Sequence, residues 1–244
     1  MQVYVVGTVR SRHTFFAIFP ELGAPPAWTQ ESLEALNARD IEYNGGKYTR
    51  YEISQMQRAR ERTVRKYKRR YLAEDAAGAD TTASAVKLRQ ARQELSDFIS
   101  ATGGRADSAR TSVAGFGRSE SSKASWAAKR QERLDAVNND LTALRQSGKI
   151  KLTGTAVTLP ALPNTLSFEG HAIEQMGKRQ ISLAQANEIA EHAILAISQR
   201  NGTQHAYYSE KGFIVIRQDG SIGTVGWLDD AGKQIVEVMK QHGF

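Results

Sequence analysis

The last third of this chain carries, in order, an imidazole, a guanidinium, an amide and a hydroxyl: His171, Arg179, Gln204 and Thr224. His171 falls in the first turn of a predicted helix. The partial positive charge of that turn draws anions, and a neutral imidazole there can serve as a general base. Arg179 lies eight residues on, a little over two helical turns, at the far end of the same helix if the helix extends that far. Gln204 and Tyr208 share one face of a predicted strand because their separation is even, and Thr224 lies in a later strand. Lys178 and Tyr208 are expected to bind the substrate. Together these groups suit metal-independent phosphodiester cleavage, in which a 2′-hydroxyl is deprotonated and fixed donors stabilise the charge that develops on the phosphorus oxygens.

The same residues also have plainer roles. A histidine at a helix start can be a surface or capping residue, Arg179 can complement a helix C-terminus, and Gln204 and Thr224 suit any exposed strand face. His192 and His205 have no evident partner, and His13 and His242 lie near the termini. No pair of histidines has metal-ligand spacing, so no metal and no cofactor is assigned.

The elements that must position these residues follow from local patterning. Glu169-Gly170 precedes a short helix over His171–Lys178, and "ISLAQANEIAEHAILAISQRNG" predicts a second. In that second helix Ser182 and Gln185 form a capping box, Leu183, Ile189, Ala193 and Ile197 form an apolar stripe, and Asn201-Gly202 is the stop. Three strands are expected in "TQHAYYS", "GFIVIRQ" and "SIGTVGWL". Glu210-Lys211 and Asp219-Gly220 are short enough for hairpins, so the sheet should be antiparallel. A final helix in "DDAGKQIVEVMKQHGF" should bury Ile235, Val236 and Met239. The predicted order is α-α-β-β-β-α.

Upstream, the charge is uneven. Residues 1–46 carry a net −2, residues 47–150 a net +10 and residues 151–244 a net −1, which together give the +7 of the chain. The middle third is the part that long-range electrostatics draws toward phosphate or an acidic protein. It is predicted to be helical. A long basic helix runs from Tyr48 to about Leu72, and a second follows with Leu88, Ala91, Leu95 and Phe98 spaced 3, 4, 3. A third is expected from about Lys123 to Gln146, with Leu134, Val137, Leu141 and Leu144. The Gly/Ser-rich "ATGGRADSARTSVAGFGRSESSKAS" reads as a mobile loop between the last two. The opening "QVYVVGTV" alternates like a strand remnant, and Thr29 is expected to cap a short helix. "IKLTGTAVTLPALPNTLSF" reads as an extended linker able to donate a strand. The fold class is therefore α+β: an extended basic helical region, then a small C-terminal domain. The divisions expected are 1–46, 47–150, 151–165 and 166–244.

With no cysteine, disulfides, thiolate zinc sites and cysteine nucleophiles are excluded. No secretory signal or membrane-length apolar run is evident, so the chain reads as soluble, without a membrane partner.

Two resemblances extend this reading. "RHTFFAIFPELGAPPAWTQESLEALN", "YNGGKYTRYEISQMQRARERTVRKYKR" and "KLRQARQELSDFISATGGRADSARTSVAGFGRS" together resemble the C-terminal part of phage minor head (minor capsid) proteins of the Mu-type head-morphogenesis class, over roughly residues 10–125. The resemblance implies a place in the virion interior near the portal, with portal or other head proteins as partners. Relatives begin with a longer head domain, and the segment before Arg12 usually holds a cysteine that is absent here, so a truncated chain or a prophage remnant is expected. The tail, from "HAIEQMGKRQIS" through "GTQHAYYSEKGFIVIRQDGSIGTVGWL", is similar to phage-associated nuclease domains of the barnase, EndoU, colicin and RelE group. That family's motif falls on His171, Arg179, Gln204 and Thr224. It implies a metal-independent endoribonuclease acting on RNA, tRNA included, that reaches the host cytoplasm. Two other classes stay open: a structural or DNA-packaging scaffold with a non-catalytic binding tail, and a toxin silenced by an immunity protein.

Overall fold

A computed structural model describes residues 30–244. The strand expected in "QVYVVGTV" and the cap expected from Thr29 lie outside them. After a short helix, α1 (Gln30–Leu36), the chain forms a hairpin of β1 (Ile41–Tyr43) and β2 (Gly46–Tyr48). The long basic helix α2 (Arg50–Ala76) follows, started by a reciprocal capping box. Thr49 Oγ1 accepts from the Glu52 N–H at 3.2 Å, and Glu52 Oε2 accepts from the Thr49 N–H at 2.8 Å.

Helix α3 (Thr82–Thr102) buries Leu88, Ala91, Leu95 and Phe98, as their spacing predicts, against Val64 and Tyr71 of α2. The Gly/Ser-rich stretch after it differs from expectation. It holds one helical turn, α4 (Ser108–Thr111), and its last residues already belong to α5 (Arg118–Gln146). It is also fastened rather than loose. Lys68 Nζ donates to the Thr111 carbonyl at 2.7 Å, Gln57 Nε2 donates to the Arg105 carbonyl at 2.9 Å, and Phe116 packs edge-on to Tyr71. Polar side chains of α2 thus serve loop carbonyls that glycine and serine alone leave unsatisfied.

Beyond α5 come β3 (Thr155–Val157), α6 (His171–Arg179), α7 (Leu183–Glu191), β4 (Leu195–Gln199), a single 3₁₀ turn, β5 (Gln204–Tyr208), β6 (Gly212–Arg217), β7 (Ile222–Trp227) and α8 (Asp230–Gln241). The five strands form one antiparallel sheet in the order β3-β4-β5-β6-β7. The order α-α-β-β-β-α is present, with two further strands. The linker donates β3. The second helix is shorter than expected: it ends at Glu191, and Leu195–Gln199 is a strand. Leu195, Ala196 and Ile197 are all fully buried, the pattern of a central strand covered on both faces rather than of one helical stripe.

Alternation divides the sheet cleanly. One face sends Ala196, Tyr207, Ile214, Ile216 and Val225 against α6 and α7, while the other sends Leu195, Ile197, Ala206, Tyr208 and Val215 against α5 and α8. Helix α5 belongs to two cores. Its Ala124 and Ala128 pack with α2 and α3, and its Leu134, Val137 and Leu141 pack under the sheet. The expected division at residue 150 therefore falls beside a shared helix.

Both sheet edges are covered. Asn138 of α5 accepts from the Ala156 N–H at 2.7 Å and donates to the Ala156 carbonyl at 3.1 Å, so it stands in for a neighbouring strand beside β3. At β7, Ser167 pairs with Ser221 in parallel, with Ser167 N donating to Gly220 O and Ile222 N to Ser167 O. Among the described residues no helix is long and apolar enough to cross a membrane.

Candidate functional site

The Ser167–Ser221 bridge sets the start of α6 beside the start of β7, and the Trp227 indole donates to the Arg179 carbonyl at 3.1 Å. Helix α6 therefore runs alongside β7 in the same direction. Ala172 and Met176 are its buried contacts. From its last turn the Arg179 side chain turns back along β7, where Nη1 donates to Thr224 Oγ1 at 3.3 Å and to the Val225 carbonyl. The guanidinium thus reaches toward the end of the helix that carries His171.

Thr224 owes its direction to a β-bulge. Val215 pairs with Thr224 and Ile216 with Ile222, so Gly223 is the extra residue. A Cβ placed on Gly223 would lie 3.4 Å from Val215 Cγ1 and 3.7 Å from Arg217 Nη2, so Gly223 and Thr224 face the same side as Val215 and Arg217. Gln204 faces that side too. It pairs with Arg217 on one flank and Gln199 on the other, and its Nε2 donates to Gln199 Oε1 at 2.9 Å.

Arg217, absent from the sequence-based set, is exposed between Gln204 and the bulge, and its Nη1 donates to Ser221 Oγ at 3.1 Å. The available signal was its even spacing from Phe213 and Val215, which puts all three on one strand face. The Asp219 carboxyl beside it is held below its usual range, chiefly by the Ser221 hydroxyl, then by the Ser221 N–H and the Arg217 charge. This end of the sheet face therefore gathers two guanidinium groups, two hydroxyls and two amides. Planar arginine forks and hydroxyls are suited to phosphate oxygens.

The other expected residues stand apart from this group. His171 is the first residue of α6, about 12 Å along the axis from Arg179. Its side chain is 65% exposed, with Nδ1 4.0 Å from Glu174 Oε2. Lys178 Nζ binds the same carboxylate at 2.5 Å, so imidazole and ammonium share one partner on the outer side of the helix. Tyr208 is a correction. It is 6% exposed, stacked on Phe213 at 5.7 Å within the core beneath α8, and it cannot meet a substrate there. Burial first, and then the Asp229 charge, push its phenol up to about 12. Among the described residues no cluster of His, Asp and Glu has the arrangement of a metal site.

With this geometry in place, comparison with known proteins divides the chain. Residues 6–100 match the family described as phage minor capsid protein 2. The matched part is less than half of the chain and ends inside α3, before α5 and the sheet begin. The likeness to phage minor capsid proteins read from the sequence holds over that part. No curated protein and no solved structure matches the chain.

Proposed function

We propose that the protein is a phage minor head protein whose C-terminal α+β unit cleaves RNA phosphodiester bonds without a metal. The match over residues 6–100 supports the head role, and with it a place in the virion among other head proteins. The observation that carries the enzymatic half is the Arg179–Thr224 contact, set on the same sheet face as Gln204 and Arg217.

In this reading a phosphodiester lies over the bulge, between the two guanidinium groups. With its side chain turned from Glu174 toward the bulge, His171 takes the proton of a 2′-hydroxyl, and the 2′-oxygen attacks phosphorus. The bond to the 5′-oxygen breaks, and that oxygen takes a proton from water. Arg179, Thr224 and Gln204 hold the phosphorus oxygens as their charge grows, and Lys178 draws the neighbouring strand. The full chain incubated with total RNA in chelator should release new 5′-hydroxyl ends. No cleavage, or equal cleavage by His171→Ala, sinks the enzymatic half.

A second reading, a structural head component with a non-catalytic tail, is favoured by a different observation: α5 lies in both cores, so the sheet is fastened to the helical region rather than hung from a free linker. It predicts an inert tail in the same assay.

A further inference from the structure

A second polar site lies about the N-terminal half of α5, remote from the sheet. Helices α3 and α5 leave a groove of about 400 Å³, floored by Leu88 and Ala124 and walled by Arg89, Arg92, Gln93, Ser125 and Lys129. Arg89 is neutralised by Glu132 at 2.8 Å. Arg92 is not. Among the described residues it forms no ion pair; it donates to Ser121 Oγ at 3.1 Å and lies 5.7 Å from the centre of the Phe116 ring.

Lys68 shares that ring from 5.4 Å, and both cations feel burial without a carboxylate to offset it. Lys68 is engaged by the Thr111 carbonyl, which leaves Arg92, half-buried on the groove wall with no carboxylate against it, as the cation placed to receive an anion. On the outer face of α5, past Lys129 and lining a separate hollow with Tyr71, Thr81 and Lys123, Trp126 is 62% exposed, with the Arg130 guanidinium 5.1 Å from its ring centre. On the helical wheel Lys123, Lys129, Arg130 and Arg133 all fall within about 60° of Trp126. None of the four forms an ion pair among the described residues; Arg133 donates to the Gly243 carbonyl at 3.3 Å.

A basic groove and an exposed indole on the same helix, joined by the row of cations around Trp126, supply the two features that hold single strands: cations that follow the backbone and a flat ring on which a base stacks. A duplex keeps its bases paired and leaves the indole unused. We propose that the α3/α5 groove and the Trp126 stripe bind a single-stranded nucleic acid, with phosphates at Arg92 and Lys129 and a base on Trp126.

The full chain should be titrated with a fluorescent single-stranded deoxyoligonucleotide. That probe lacks a 2′-hydroxyl, so it reports on this site whether or not the sheet cleaves RNA. The proposal expects saturable binding that weakens steeply with salt, loss of about tenfold or more in affinity for Trp126→Ala, and a shallower salt dependence for Lys129→Ala. Arg92→Ala can disturb the Phe116 packing, so the two exposed substitutions decide the matter. Equal affinity of both variants for the probe, or duplex binding indifferent to Trp126, overturns it.

Discussion

Arg179 lies 3.3 Å from Thr224 across the outer edge of β7, and the same guanidinium nitrogen also donates to the Val225 carbonyl. One side chain thus covers a strand edge and presents a cation on the sheet face. The two roles separate by mutation. Arg179→Ala should lower stability by about 1–2 kcal/mol, through the lost bond to a buried edge carbonyl. Thr224→Val keeps the edge bond and should change stability by less than about 1 kcal/mol. If the sheet cleaves RNA, cleavage falls about a hundredfold in the first variant and about tenfold in the second. Urea unfolding and an RNA cleavage assay on each variant read both effects, and folded variants that cut like the parent remove Arg179 and Thr224 from the chemistry.

Leu141 is fully buried at the junction of α5 with the sheet. Leu141→Ala should cost about 2–5 kcal/mol. Because α5 also belongs to the helical core, variants that keep only Trp126 or only Trp227 should report one shared unfolding midpoint. A Trp227 signal that melts ahead of Trp126 would mean that the sheet unfolds alone.

The raised pKa of Tyr208 makes stability fall in alkali. Its folded value is about 12, against an ordinary 10.0, so the stabilisation is whole below pH 10 and drains away as pH rises toward 12. Tyr208→Phe cannot ionise and should flatten that part of the stability curve, measured by denaturant midpoints from pH 9 to about 12. An unchanged slope would show that the phenol already ionises normally in the fold.

Glu74 acts at the other end of the scale. The Ser84 hydroxyl, then Arg70, hold its carboxyl below the ordinary 4.5. Its contribution is therefore complete above that value and lost as pH falls through the lowered folded one. Glu74→Gln should have a lower thermal midpoint than the parent at pH 7 and approach it as pH falls below the ordinary carboxylate value. A gap that persists in acid would assign the effect to shape rather than charge.

Some of the architecture was plain in the residues. The 3, 4, 3 spacing of Leu88, Ala91, Leu95 and Phe98, the Ser182/Gln185 capping box, and the Asp219-Gly220 turn are local signals, and each marks an element that forms. The β1–β2 hairpin carries a local signal too. Asn44-Gly45 has positive φ at both residues, 46° and 77°, the turn that an Asn-Gly pair favours. Strand β4 was not legible. "AILAISQ" continues a helical stripe on paper, and only burial of both its faces between two helical layers makes it a strand.

Residue types and period-two alternation alone put Gln204 on a strand face, His171 at a helix start and a net +10 on residues 47–150. Tertiary structure decided which of them meet. The bulge at Gly223 turned Thr224 toward Arg217, the course of α6 along β7 brought Arg179 to Thr224, and the cover of α8 put Tyr208 into the core. The physical reason is range. Caps, turns and periodicity act over a few residues of chain, whereas a contact between residues 45 apart exists only once packing has fixed both backbones.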